Sequence, residues 1–450
     1  MDEKHYQILR ELGFELGPKQ MTNKYWIGRA VEALALSTQD RDVYGCVDHT
    51  RGEGVKIFDI EGTDYLDLTG GVAVRAFGVR YKPQMDFEER VHDVMLELPG
   101  QDFDAIPQTL LAEKVAEITP GSHRKRVFFT TSGGRAVEGC MKSAMDLTGR
   151  RRFVAFRPAF HGRTGYALAL TSSNSRHKNV FPQGVDVIRV PYPYLYRKPK
   201  GMTDDDYKNY LLETLEYALQ VEGNDVAAVV MEPLAGEGGL IVPPSDVVQG
   251  IYKIAKDNGA FFHSDEVQAG MGRTGKWCAI EHHGVTPDYI SMAKALGGGY
   301  PMGACVGPAP MYTGPSRHSE TFSAEPKMAL ISLWVLKHIE EQGFLKSNTE
   351  KGDYMMKQLN ELKDKHEVIG DVRGLGLMIG VEFVRDKASR IKAPKLRDRI
   401  VRNSVQKQHL WMLGCGQNVI RFTPSFVISY DDIDEAVRRL DRAITEEAAQ

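Results

Sequence analysis

Short apolar runs bounded by glycine, proline and charged residues recur through the middle of the chain. Val127-Phe128-Phe129, Phe153-Val154-Ala155-Phe156, Val187-Ile188-Arg189-Val190 and the stretch from Val226 to Met231 have the length and β-branched or aromatic content of buried strands. Phe261-Phe262 and Tyr289-Ile290 continue the series. Between the runs the period lengthens to that of a helix. Ser245-Asp246 opens one that sets Val248, Ile251, Tyr252 and Ala255 on a single face and stops at Asn258-Gly259. Strand, helix and strand in alternation predict βαβ units, hence an α/β fold whose main sheet is largely parallel and covered on both faces.

The two ends of the chain read differently. Near the start, polar and helical stretches surround Trp26 to Val31. Val55 to Ile60, Glu61-Gly62-Thr63 and Tyr65 to Leu68 then have the alternation and glycine turn of a hairpin. Near the other end, Lys351 to Lys365 is charged and helical, Val381 to Val384 and Val419 to Phe422 look like strands, and a closing helix runs on from Asp431. These parts predict a smaller α+β unit. No internal repeat or low-complexity segment interrupts the pattern.

Composition narrows the class without naming a function. The chain has 450 residues, 42% of them hydrophobic and 26% charged, values typical of a globular protein long enough for more than one core. A formal net charge of -3 gives no electrostatic reason to expect nucleic acid or an anionic membrane as partner. The five cysteines (Cys46, Cys140, Cys278, Cys305 and Cys415) are scattered and form no C-x-x-C pair, which argues against a disulfide framework or zinc ribbon. With a charged N-terminus (Met1 to His5) and no apolar run approaching a membrane span, the expected location is cytoplasmic.

Chemistry concentrates at the strand ends. Lys294 lies where the run Tyr289 to Ala293 meets Gly297-Gly298-Gly299, and Asp265 ends the run begun by Phe261. An amine and a carboxylate so placed suit a covalent anchor for pyridoxal 5'-phosphate (PLP) and a partner for its pyridine nitrogen, although a plain buried ion pair has the same residues. Thr131-Ser132-Gly133-Gly134 stands between a strand and a helix, as a phosphate cradle does; Ser132, Gly133 and Gly134 are the candidate ligands. Phe160-His161-Gly162-Arg163 offers a ring to stack on a flat cofactor, with His161 beside it and Arg163 to fork onto a carboxylate. Glu232 and Glu237, in a glycine-rich loop past a strand end, are placed to orient the other groups or answer an arginine. His263, Asp265 and His282-His283 raise a metal reading, but no third ligand stands at a diagnostic spacing, so none is expected.

These residues, in this order, resemble the class III PLP-dependent aminotransferases. The resemblance rests on Asp265-Glu266-Val267-Gln268, Gly272-Arg273-Thr274-Gly275 and the segment from Pro287 through Lys294 to Pro301, and it runs from about Gly52 to Ile433. Phe160 to Thr164 and Pro191-Tyr192-Pro193 further resemble the 4-aminobutyrate aminotransferase branch. Leu396 to Val401, Leu413 to Gly416 and Ile420 to Phe422 resemble an archaeal-type group within it, some of whose members are amino-acid racemases.

The resemblance implies PLP fold-type I and a homodimer, with 1–75 as the N-terminal part of the small domain, 76–334 as the large PLP-binding domain and 335–450 as the rest of the small domain. It implies that Lys294 is the covalent anchor, Asp265 the pyridine-nitrogen partner, Gln268 a neighbour of the ring hydroxyl and Phe160 the stacking ring. Thr321 would reach the phosphate of the neighbouring subunit. Arg421 would take an α-carboxylate and Arg163 the distal carboxylate of an ω-amino acid. Glu237 would pair with Arg421 when no α-carboxylate is present, and Val72 would form a pocket wall. Arg135, Ser323-Ala324-Glu325-Pro326 and Gly78 to Pro83 depart from the family pattern. The expected reaction is amino transfer from a 4-aminobutyrate-like donor to 2-oxoglutarate. The alternative is racemisation or epimerisation of an amino acid. A PLP-binding regulator is disfavoured because the opening residues are too few and too weakly basic for a DNA-binding domain.

Overall fold

The computed structural model describes residues 3–35, 41–94, 100, 103–221 and 225–449; Met1 and Asp2 of the charged N-terminal run lie outside them. Its central sheet has seven strands. In spatial order they are Lys125–Thr130, Gly303–Pro308, Tyr289–Met292, Phe261–Asp265, Val226–Met231, Arg152–Arg157 and Val187–Pro191. The last five are mutually parallel. Gly303–Pro308 runs antiparallel to both of its neighbours, so the predicted parallel sheet has one reversed strand.

All six residues of Val226–Met231 are buried, as a strand covered on both faces requires. Helix Ser245–Asp257 covers part of one face with Val247, Val248, Ile251 and Ala255. Each Val or Ile so buried contributes about 1.5–3 kcal/mol relative to exposure. Helix Gly133–Thr148 is capped at its start by Ser132, whose hydroxyl accepts from the Arg135 N–H, and it ends at Gly149 in the left-handed conformation (φ +69°).

Two four-stranded sheets flank this core. One contains the predicted hairpin, Lys56–Asp59 against Asp64–Asp67, with Val47–Glu53 outside it. Leu410–Trp411 pairs in parallel with Asp64–Asp67, so the two ends of the chain share one small unit. The other sheet holds Ile369–Leu375, Met378–Phe383, Val419–Phe422 and Leu413–Cys415. The charged helix begins earlier than its sequence pattern suggests, at Phe344, and runs to Lys365. The closing helix Tyr430–Ala448 starts with a reciprocal cap between Ser429 and Asp432. None of the described helices is long and apolar enough to cross a membrane.

Candidate active site

The parallel strands place their C-terminal ends along one edge of the sheet, where ligands of open α/β sheets bind. Thr130, Arg157, Met231, Asp265 and Met292 end five of them. The following loops carry Ser132 to Gly134, Phe160 and His161, Glu232 and Glu237, and Lys294. All of these, with Asp265 and Gln268, line one cavity of about 470 Å³. Lys294 sits in the left-handed region (φ +46°), a strained conformation for a residue with a side chain, at the start of the short turn Lys294–Gly297. Gly298 and Gly299 continue the loop with φ of +59° and +107°. The Lys294 amine lies among the charges of Arg421, Glu237, Asp265 and Glu232.

Asp265 is held from three directions. Its Oδ1 accepts from the Val267 N–H at 3.1 Å and from Ser291 Oγ at 3.3 Å, and its Oδ2 lies 2.7 Å from His161 Nδ1. Burial works against a charged imidazole, but the bond to Asp265 and the carboxylate's charge outweigh it and raise the His161 pKa. Glu232 bridges two loops by accepting from the Phe160 and Gly236 N–H groups, each at 2.8 Å. Burial pushes its carboxyl up to about 7 even though His161 opposes the shift.

For Lys294 burial is the leading cause and the Arg421 guanidinium adds to it; the amine is lowered to about 8 despite the nearby carboxylates. Arg421 is buried and pairs with Glu237, while its Nη1 also donates to Gln268 Oε1 at 3.2 Å. Burial disfavours the Glu237 carboxylate, but Arg421 prevails and its pKa is lowered. Carboxylate and guanidinium therefore stay charged together, with Glu237 in the cavity wall and Arg421 outside it.

The remaining expected residues fall outside the cavity wall. Arg163 is exposed, its guanidinium 5.8 Å from the centre of the Phe160 ring, and Thr321 is exposed on a separate segment. Val72 is half-buried in a left-handed turn (φ +63°), and the wall residue is Val74, two positions on. That turn falls where sequence periodicity gives no warning of which side chain will face inward. Tyr300 and Met302, also in the wall, were missed because they follow the glycines as an ordinary loop.

The departures from the family pattern have local explanations. Glu325 caps helix Pro326–Glu341 through the Met328 N–H at 3.0 Å. Gly78 (φ +78°) leads into Val79, which exchanges two backbone hydrogen bonds with Gly54. Arg135 lies 3.7 Å from Glu320. The histidines of the metal reading are engaged elsewhere: His263 with Ser291 at 3.1 Å, and His283 with Ser245 and the Pro233 carbonyl at 3.0 Å each. Among the described residues no group of three His, Cys, Asp or Glu is arranged to hold a metal ion.

The donor set fits PLP. A Cβ on Gly133 would come within 2.5 Å of Val267, so that position of the cradle takes only glycine. The His161 Nε2 is buried at the cavity with no hydrogen-bond partner among the described residues. Amine, carboxylate, aromatic ring and helix N-terminus lie around one space, which the plain ion-pair reading of Lys294 and Asp265 does not explain.

Comparison with known proteins agrees with this chemistry. The family model described as aminotransferase class-III matches residues 37–444. A probable 4-aminobutyrate aminotransferase of Bacillus subtilis is 33% identical over 402 residues, 88% of this chain and 92% of its own. A leucine/methionine racemase of Thermococcus litoralis is 33% identical over 410 residues, 90% and 92% of the two chains. Among solved structures, an (S)-enantioselective ω-transaminase from Thermomicrobium roseum is 26% identical with a TM-score of 0.87, covering 95% of this chain and 99% of its own. The fold is also shared with an ω-transaminase from Pseudomonas jessenii solved in complex with PMP, 24% identical with a TM-score of 0.87 over 94% of this chain and 98% of the other.

Proposed function

The chain belongs to the class III aminotransferases, and from that premise we propose that it moves an amino group from an ω-amino acid of the 4-aminobutyrate kind to 2-oxoglutarate. Its cofactor is pyridoxal 5'-phosphate. Bound, the cofactor supplies an electron sink for negative charge developing at the substrate carbon. Lys294 would hold it covalently, Asp265 at the ring nitrogen, Phe160 at the ring face, and the Gly133-Gly134 backbone at the phosphate.

The protein's own part is proton handling and orientation. An amine lowered to about 8 is partly neutral near neutral pH, so Lys294 Nζ can accept the α-proton and return it. Asp265 is held in place by His161, Ser291 and the Val267 N–H. The observation that carries the substrate reading is the Glu237–Arg421 pair beside Lys294. With Glu237 on Arg421, that guanidinium is covered when the donor lacks an α-carboxylate. With Glu237 displaced, Arg421 meets the α-carboxylate of glutamate or 2-oxoglutarate. Arg163, outside the Phe160 ring, would take the distal carboxylate. The test is a set of amino donors incubated with 2-oxoglutarate; glutamate should form with 4-aminobutyrate or a homologue of similar length.

A second reading, racemisation, is favoured by the likeness to the leucine/methionine racemase and by the half-buried Glu237 carboxylate, the available second acid–base group. Incubating one enantiomer in D2O without an oxo acid separates the two. Loss of chirality with α-deuteration would support racemisation, and unchanged substrate would support amino transfer.

A further inference from the structure

A carboxylate binds the first residue of the phosphate loop from within the same chain. The Glu320 Oε1 accepts from the Thr131 N–H at 3.1 Å and also from the Thr131 hydroxyl. Its side chain is 8% exposed, and its Oε2 is buried with no partner among the described residues. Thr131 lines the cofactor cavity directly before Ser132 and Gly133. A carboxylate beside an anion site is unfavourable unless its charge is answered, and Arg135, in the first turn of helix Gly133–Thr148, lies 3.7 Å away.

The segment that carries Glu320 is itself fastened to the loop's strand. The Ser323 N–H donates to the Glu320 carbonyl at 3.0 Å, and Ser323 Oγ donates to the Phe129 carbonyl at 2.5 Å. Gln108 Nε2 holds the Ala324 carbonyl at 2.9 Å. Thr321, the next residue after Glu320, is left facing outward. One carboxylate therefore ties the start of the phosphate loop to the segment that presents Thr321.

We propose that Glu320 is a positioning residue for the cofactor phosphate: as a hydrogen-bond acceptor it fixes Thr131, and through it the orientation of the Gly133-Gly134 N–H groups. It does not touch the reacting atoms. The role rests on the PLP reading of the cavity and concerns only its phosphate end. A fixed cradle costs less ordering when the anion binds, so releasing Thr131 weakens the phosphate grip and leaves capture of the aldehyde by Lys294 unchanged.

Two ligands separate these ends. PLP and pyridoxal, which lacks the phosphate, are titrated into the full-length apo-enzyme and followed by absorbance. Glu320→Ala should weaken PLP about tenfold, the worth of a lost pair of hydrogen bonds, and leave pyridoxal within about twofold. Glu320→Gln, which keeps an acceptor oxygen, should restore PLP affinity to within about threefold of the parent. If Glu320→Ala is poorly folded, Thr131→Val removes the hydroxyl donor and should give a smaller loss confined to PLP. Equal losses for PLP and pyridoxal, no loss for PLP, or a Gln variant as weak as the Ala variant would overturn the role. Wild-type enzyme that binds PLP no better than pyridoxal would remove the phosphate cradle as well.

Discussion

His161 Nδ1 and Asp265 Oδ2 lie 2.7 Å apart, with both side chains buried, so the carboxylate proposed for the cofactor's ring nitrogen is backed by an imidazole. Removing the ring leaves Asp265 with an unmet hydrogen-bond site in a buried setting. His161→Phe should lower kcat by roughly 10–100-fold while changing substrate KM less. Steady-state kinetics checks the split.

The same pair carries a pH signature. The His161 pKa is raised, so its bond to Asp265 contributes stability that is fully present below the ordinary imidazole value of 6.5 and is lost as pH rises through the raised one. The melting-temperature difference between apo wild type and His161→Phe should therefore be larger at pH 6 than at pH 9. A difference that grows with pH would contradict the assignment.

Lys294 has the opposite sign. Its amine is lowered to about 8 from 10.5, so the cost of burying its charge is felt in full below pH 8 and lifted as pH rises toward 10.5. Apo Lys294→Met should melt a few degrees above apo wild type at pH 7, with the gap closing by pH 10. The same variant should lose turnover by at least about 10⁴-fold, since it lacks both anchor and proton carrier.

On the proposed reading, Arg421 and Glu237 would divide the two halves of the reaction. Arg421→Lys loses the forked contact to an α-carboxylate and should raise KM for 2-oxoglutarate about tenfold or more. Glu237→Ala should instead slow the half-reaction of the ω-amino donor, by leaving Arg421 uncovered beside an apolar substrate carbon. Single-turnover measurements of each half-reaction distinguish the two effects.

The parallel core was legible because strands buried on both faces read as unbroken apolar runs, and the motifs at their ends marked the cavity. Gly303–Pro308 was not read, since Gly303-Ala304-Cys305-Val306-Gly307 is short, glycine-bounded and follows the glycine loop after only Tyr300, Pro301 and Met302. Its reversed direction comes from pairing, which no local pattern records. The Ile369–Leu375 strand escaped for a similar reason, its Gly370, Asp371, Arg373 and Gly374 diluting the apolar pattern. Lys294, Asp265 and the Thr131 to Gly134 loop stand out by their positions at strand ends, and the fold brings them to one cavity. The His161–Asp265 bond and the Glu320–Thr131 contact join residues 104 and 189 positions apart, and only the folded chain brings them together.

The central claim is amino transfer carried through Lys294. It is tested most directly by incubating the PLP-loaded enzyme with 4-aminobutyrate-like donors and with single-enantiomer amino acids, each with and without 2-oxoglutarate, while glutamate and enantiomeric excess are followed together. The account predicts glutamate formed mole for mole with the donor's carbonyl product, and no loss of chirality when the oxo acid is absent. Racemisation without an acceptor, with no glutamate from any donor, would contradict it.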